Sequence, residues 1–276
     1  MTTTPPPSTP SRIKTRDGTE IAYRLHRGTG PARFALVHSL AMDGSFWDLT
    51  AQHLAEAGDV LVHDCRGHGA SSKGGGPYTG ELFADDLADL LDAVGWRSAI
   101  VAGASMGGCV ALAFAAAYPD RLDGLGLFDT TASYGSDAPA QWEERAQKAV
   151  AGGMAALVGF QKSRWFSKAF AEANPDIVDR AVEIFRHNDV ESYVETCRML
   201  GRFDKTAALG QIRVPTRILV GSEDYATPVA MAQAMHDAIP GASLTILPGA
   251  AHLTPIECAA AVAAELRTLN SATQVL

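Results

Sequence analysis

Six short apolar runs, at 34–37, 60–62, 99–102, 125–128, 218–220 and 244–247, constrain the fold of this 276-residue chain more than any other feature. Each is bounded by Gly, Pro, Asp or His. Continuous apolar runs of this length suit strands covered on both faces, as parallel strands are. Helical spacing fills most of the intervals. Leu82, Leu87, Leu90, Leu91 and Val94 recur at helical periodicity, and a further helical stretch runs over 109–118. Strands alternating with helices predict an α/β fold with a mostly parallel central sheet, whose binding groups gather at the carboxyl ends of the strands. Upstream, alternating runs at 12–15 and 21–25 flank Asp17-Gly18, a turn signal that predicts an N-terminal antiparallel hairpin.

The alternation breaks over 135–208, where no strand pattern is found and amphipathic segments such as 141–150 and 176–187 follow one another. This predicts a helical cap inserted into a core formed by 12–134 and 209–276. Residues 1–11 are rich in Thr, Pro and Ser, with neither a basic start nor an apolar centre, and read as a disordered tail rather than a signal or an anchor. A chain of this length buries about 75% of its unfolded surface and needs no disulfide or metal staple. Its four cysteines (Cys65, Cys109, Cys197, Cys258) form no C-x-x-C pair, which points to reduced thiols, a cytoplasmic setting and no structural metal. A net charge of -8 offers no footprint for nucleic acid or an anionic membrane surface. No apolar run reaches the roughly 20 residues that span a bilayer. Homo-oligomerisation stays open.

Chemistry is concentrated at the predicted strand ends. Gly103-Ala104-Ser105-Met106-Gly107 lies between the run 99–102 and a helix. Small residues on both sides of a serine suit a sharp strand-to-helix turn that lifts the hydroxyl out of the interior. The same turn presents the Met106 N–H and the positive end of the helix to a developing oxyanion. A serine needs a general base, and the base an orienting carboxylate. His252 follows the run 244–247 and Asp224 follows 218–220, so the chain order is Ser, Asp, His. Asp129, just after 125–128, is a rival acid at the same rim, and Glu223 a weaker one. His38-Ser39-Leu40-Ala41 follows the first parallel run, where the Leu40 N–H would complete the oxyanion site and His38 would fix the loop. The polar turn Asp64-Cys65-Arg66-Gly67-His68-Gly69-Ala70-Ser71 reads as structural. Glu257 is expected to open the last helix, favoured there by the helix dipole.

Together these segments resemble the α/β-hydrolase superfamily over nearly all of the chain beyond the tail. Within it the chain is most similar to 3-oxoadipate enol-lactone hydrolases. That likeness rests on the 64–71 turn, Gly76-Pro77-Tyr78-Thr79, Ser105-Met106-Gly107-Gly108, Trp142, Arg145, Gly153-Met154-Ala155-Ala156-Leu157 and Arg164-Trp165-Phe166. It implies a cofactor-free serine hydrolase that opens a small carboxylate-bearing enol-lactone or ester through an acyl-enzyme. Ser105, Asp224 and His252 would be catalytic, with Leu40 and Met106 forming the oxyanion hole. Arg145 or Arg164 would meet the carboxylate and Trp142 and Trp165 would wall the pocket; the alternative for all four is cap packing. Competing functions are a general carboxylesterase, a carbon–carbon bond hydrolase and, from another class, a ligand-binding receptor on the same fold. Ser39 stands where the superfamily commonly has glycine, which requires ordinary backbone angles there.

Overall fold

The computed structural model describes residues 10–273. Eight strands form one sheet: β1 (Ser11–Lys14), β2 (Glu20–His26), β3 (Ala32–Val37), β4 (Gly58–His63), β5 (Ala99–Ala104), β6 (Leu122–Phe128), β7 (Thr216–Gly221) and β8 (Ser243–Leu247). They lie in the order β1-β2-β4-β3-β5-β6-β7-β8. The β1–β2 and β2–β4 pairs are antiparallel and the others parallel. All six residues of β5 are buried, as expected for a strand covered on both faces. Ser11, which its composition assigns to the tail, instead opens β1 opposite Tyr23, because the hairpin register extends one residue further. Of the rest of the predicted tail, residues 1–9 lie outside the described residues and Pro10 belongs to no helix or strand.

The helices are α1 (Asp48–Leu54), α2 (Gly80–Ala93), α3 (Met106–Ala117), α4 (Ala138–Gly152), α5 (Val158–Trp165), α6 (Lys168–Ala173), α7 (Pro175–Arg186), α8 (Val190–Arg202), α9 (Val229–Ala238), α10 (Thr254–Glu257) and α11 (Ala259–Thr273). Local chemistry starts several of them. The Thr79 hydroxyl accepts from the Leu82 N–H ahead of α2, and the Asp189 carboxylate accepts from the Ser192 N–H ahead of α8. Among the described residues no helix is long and apolar enough to cross a membrane.

Helices α4 to α8 all fall between β6 and β7, and an isolated antiparallel bridge joins Ser133 to Asp204 at the ends of the excursion. Within it, Arg198 on α8 holds Glu143 on α4 through two hydrogen bonds of 2.9 and 3.0 Å. It is tied to the loops at the strand ends. Asn188 Nδ2 donates to the Ala41 carbonyl at 2.8 Å, and the Leu253 N–H donates to the Trp165 carbonyl at 2.9 Å. Glu257 does not open the last long helix but ends the short α10. Its carboxylate accepts from the Ser167 N–H at 3.1 Å and the Ala251 N–H at 3.2 Å, so it clamps the His252 loop to the excursion. Satisfying two backbone donors fixes this residue more firmly than a helix dipole would.

Beneath the sheet edge, Arg66 is fully buried and pairs with Asp86 at 2.6 and 2.7 Å and with Asp17 at 3.0 Å. The Asp64 carboxylate accepts from the Gly44 and Ala70 N–H groups. The 64–71 turn thus holds neighbouring loops together.

Candidate active site

Ser105 sits between β5 and α3 with φ 55° and ψ -119°, the strained conformation of a tight elbow. The glycines around it are required by close approach. A Cβ at Gly103 would come within 2.0 Å of the Gly107 carbonyl oxygen, and one at Gly107 within 2.0 Å of the Val37 carbonyl oxygen. The elbow is held by the Ser105 N–H donating to the Phe128 carbonyl at 3.0 Å and by the Thr130 hydroxyl donating to the Ser105 carbonyl at 2.7 Å. With the next residue opening α3, the Met106 N–H faces no carbonyl of its own helix.

Ser105, Asp224 and His252 come together in hydrogen-bonding order. His252 Nε2 lies 2.9 Å from Ser105 Oγ, and His252 Nδ1 lies 2.8 Å from Asp224 Oδ2. The other contacts of Asp224 are all with donors: the Ala226 N–H (2.8 Å), the Thr227 N–H (3.0 Å) and the Thr227 hydroxyl (2.8 Å). Burial disfavours its charge, but the neighbouring His252 and the donors of Thr227 prevail, and the carboxyl titrates below its usual range. An ionised Asp224 accepts a hydrogen bond from Nδ1–H and leaves Nε2 free to accept one from the serine hydroxyl. Burial likewise opposes a charged His252, yet the charge and hydrogen bond of Asp224, aided by Asp129, raise its pKa above the ordinary 6.5.

Among the described residues the hydrogen-bond partners of the Asp129 carboxylate are Gly221 and Thr254, not the histidine. Its Oδ1 accepts from the Gly221 N–H at 3.1 Å, and its Oδ2 from the Thr254 N–H at 3.0 Å and the Thr254 hydroxyl at 2.6 Å. Full burial, then the nearby Asp224 charge, push its pKa up. It ties β7 and the start of α10 to the end of β6, a bracing role that explains why a carboxylate sits at this rim.

The loop after β3 faces the serine. His38 Nδ1 lies 2.8 Å from the Ser39 carbonyl, and His38 Nε2 accepts from the Cys65 N–H at 2.9 Å. The ring therefore bridges the loops after β3 and β4. Ser39 avoids positive φ, so its side chain causes no backbone strain; Ala41 carries that strain instead, at φ 58°.

A cavity of about 410 Å³ opens above Ser105 and His252, lined also by Leu40, Trp142, Arg145 and Trp165. Arg164 lines it as well, with its guanidinium 4.1 Å from the Phe160 ring centre. Arg145 stacks 4.8 Å from the Trp142 ring centre and donates from Nε to the Tyr193 hydroxyl at 2.7 Å. Two lining residues do not stand out in the sequence. Tyr134 lies just past β6, and Gln161 is a buried polar residue on an otherwise apolar face of α5. Tyr193, which orients Arg145, is equally inconspicuous; its signal is only an aromatic in the amphipathic pattern of α8, which core packing explains as well.

A buried serine–histidine–aspartate relay on an elbow, at the carboxyl end of a mostly parallel sheet, defines the hydrolase class of α/β proteins. Residues 34–265 match the profile of the Alpha/beta hydrolase family, and the chain belongs to that family. It is 30% identical over 220 residues to 3-oxoadipate enol-lactonase 2 of Acinetobacter baylyi, covering 80% of this chain and 81% of that one. The enol-lactonase structure from Burkholderia xenovorans LB400 superposes with a TM-score of 0.89 at 32% identity, covering 95% of this chain and all of that one, 100%. A thermophilic esterase from Thermogutta terrifontis, determined with malate bound, superposes with a TM-score of 0.86 at 28% identity, over 95% of this chain and 100% of that one.

Proposed function

We propose that this protein is a serine hydrolase that opens carboxylate-bearing enol-lactones or esters through an acyl-enzyme. One observation carries the reading: the Ser105–His252 pair and the Arg145 guanidinium, which has no carboxylate partner among the described residues, line the same cavity. The enol-lactonase relatives and the malate-bound esterase support it. On this reading α4 to α8 act as the cap (135–208) over a core of 12–134 and 209–276, and the cap selects the substrate.

His252 removes the Ser105 proton as Oγ attacks the carbonyl carbon, and the Leu40 and Met106 amides hold the oxyanion. Collapse breaks the bond to the enol or alcohol oxygen, which leaves with the proton that His252 took. In a lactone this oxygen stays tethered to the acyl chain. His252 then deprotonates a water, whose oxygen attacks the acyl carbon, and Ser105 recovers its proton as the acid departs. Arg145 pairs with the substrate carboxylate in a planar fork, Arg164 adds positive charge, and Trp142 and Trp165 flank the carbon chain. None of these steps requires a cofactor.

Parallel measurement of kcat/KM on a carboxylated enol-lactone, a neutral aryl ester and a vinylogous diketone tests the assignment. A clear preference for the first supports it. Equal rates on neutral esters identify a general carboxylesterase, and exclusive turnover of the diketone identifies a carbon–carbon hydrolase. Tight ligand binding that survives Ser105→Ala, without turnover of any substrate, identifies a receptor.

A further inference from the structure

We infer that Gln161 is a specificity-determining residue that hydrogen-bonds a neutral oxygen on the acyl chain, distinct from the cleaved carbonyl and from the terminal carboxylate. This deepens the proposed lactone and ester chemistry and rests on it. Gln161 lies on α5, four residues after Leu157 and four before Trp165, a spacing that puts all three on one helix face. That face is buried: Leu157 is 3%, Gln161 6% and Trp165 4% exposed. All three line the cavity above Ser105.

The two flanking residues fit an apolar wall; the amide does not. Among the described residues no group hydrogen-bonds to the Gln161 side chain, whereas the two buried carboxylates near Ser105 are satisfied: Asp224 by Ala226, Thr227 and His252, Asp129 by Gly221 and Thr254. The amide is not sealed in the core but opens into the cavity, where Met or Leu would complete the apolar wall without presenting a polar group. An amide that faces a cavity and meets no protein group offers both a donor and an acceptor to whatever enters. Its complement is a neutral oxygen. The cation for a carboxylate already stands in the same cavity as Arg145, whose terminal nitrogens meet no acidic group among the described residues, while the hydrocarbon chain needs only Trp142, Leu157 and Trp165. A ketone or an enol-ether oxygen along the chain matches the donor that remains. Sites built to hydrogen-bond an oxygen discriminate strongly against the analogue that lacks it.

The test compares 4-nitrophenyl hemiesters of heptanedioate with those of its 3-oxo and 4-oxo analogues. All carry the same leaving group and terminal carboxylate, so only the chain oxygen differs. The wild-type protein is expected to favour at least one oxo ester by about tenfold or more in kcat/KM. Gln161→Met should remove that preference by slowing the oxo ester, leave the plain hemiester within about twofold, and leave the melting temperature unchanged or higher. Absence of any oxo preference in the wild type overturns the inference, as does a preference that survives in Gln161→Met. A fall in melting temperature with equal loss on all esters also overturns it, since that marks a structural amide. If no hemiester is hydrolysed, the serine-hydrolase reading fails separately. Calorimetric affinities of the free heptanedioate and its oxo analogues, in wild type and Gln161→Met, then decide the role of Gln161 by the same comparison.

Discussion

Arg145 Nε donates to the Tyr193 hydroxyl at 2.7 Å, and no carboxylate lies within ion-pairing reach of that guanidinium among the described residues. Of the other cations lining the cavity, Lys148 is neutralised by Glu144 at 2.7 Å and Arg164 stacks on Phe160. A neutral phenol orients the Arg145 fork without cancelling its charge. The protein accepts the desolvation of a cation that an apolar residue of similar volume would avoid, which is reasonable where an anion is to be met.

Replacing Arg145 by Met should therefore act selectively. Loss of a charge-assisted contact lowers kcat/KM for a carboxylated ester by about 10- to 100-fold, while a neutral ester of the same length changes by about threefold at most. Arg145→Lys recovers only part of the loss, because a point charge cannot present the planar fork. Steady-state kinetics on the matched pair checks this; equal losses on both esters would show that Arg145 only packs the helices.

The two buried aspartates separate in the same manner. Asp224→Asn removes the acceptor that orients His252 and should lower kcat on the order of 10³- to 10⁴-fold. The raised His252 pKa adds a prediction in pH. A protonated His252 cannot accept the serine proton, so kcat/KM is lost as pH falls through a value above 6.5, and residual activity of Asp224→Asn should show that limb displaced downward. Asp129→Asn should keep kcat within about tenfold and instead lower stability by about 1–3 kcal/mol, because its Oδ2 acceptor for Thr254 is disturbed. pH–rate profiles and urea melts of the two variants decide between these outcomes.

Glu257→Ala should loosen the His252 loop from the excursion helices. Two backbone donors, at Ser167 and Ala251, lose their acceptor. The expected cost is about 1–3 kcal/mol of stability, with faster amide exchange at Ala251. Hydrogen exchange read at that residue is the check; unchanged protection there would show that the clamp does not restrain the loop.

The sheet is legible in the sequence because its parallel strands are continuous apolar runs, and the relay because the elbow, Asp224 and His252 each follow such a run. Register at the edges is less legible, and Ser11 enters β1 through pairing with Tyr23, which its own polarity does not announce. The role of Glu257 depends on the Ser167 N–H, 90 residues away in sequence, so local spacing suggests a helix start instead. Asp129 and Asp224 cannot be ranked from spacing alone; only the 2.8 Å contact with His252 separates them in geometry. Gln161 is visible as a polar residue at apolar spacing, but its empty hydrogen-bonding capacity is a tertiary fact.

Three further histidines predict how stability responds to acid. His38, His63 and His68 are fully buried, and desolvation lowers their pKa values to about 4, 3 and 3. Unfolding exposes them at the ordinary 6.5, so between that pH and about 4 the unfolded chain binds more protons and stability falls as pH falls. Each fully effective histidine contributes about 1.4 kcal/mol per pH unit; the buried Asp129 and Asp86, raised to about 8 and about 6, oppose the trend, whereas the raised His252 opposes it only above 6.5. Urea midpoints measured from pH 7 to pH 4 should drop, and His68→Asn should flatten the slope; a flat wild-type profile would contradict this.

Labelling with a fluorophosphonate probe, followed by peptide mass spectrometry and by ester hydrolysis assays on Ser105→Ala, tests the proposed nucleophile most directly. One modified residue, Ser105, is expected, with loss of both labelling and hydrolysis in the variant. Hydrolysis that persists at wild-type rate in Ser105→Ala would contradict the serine mechanism.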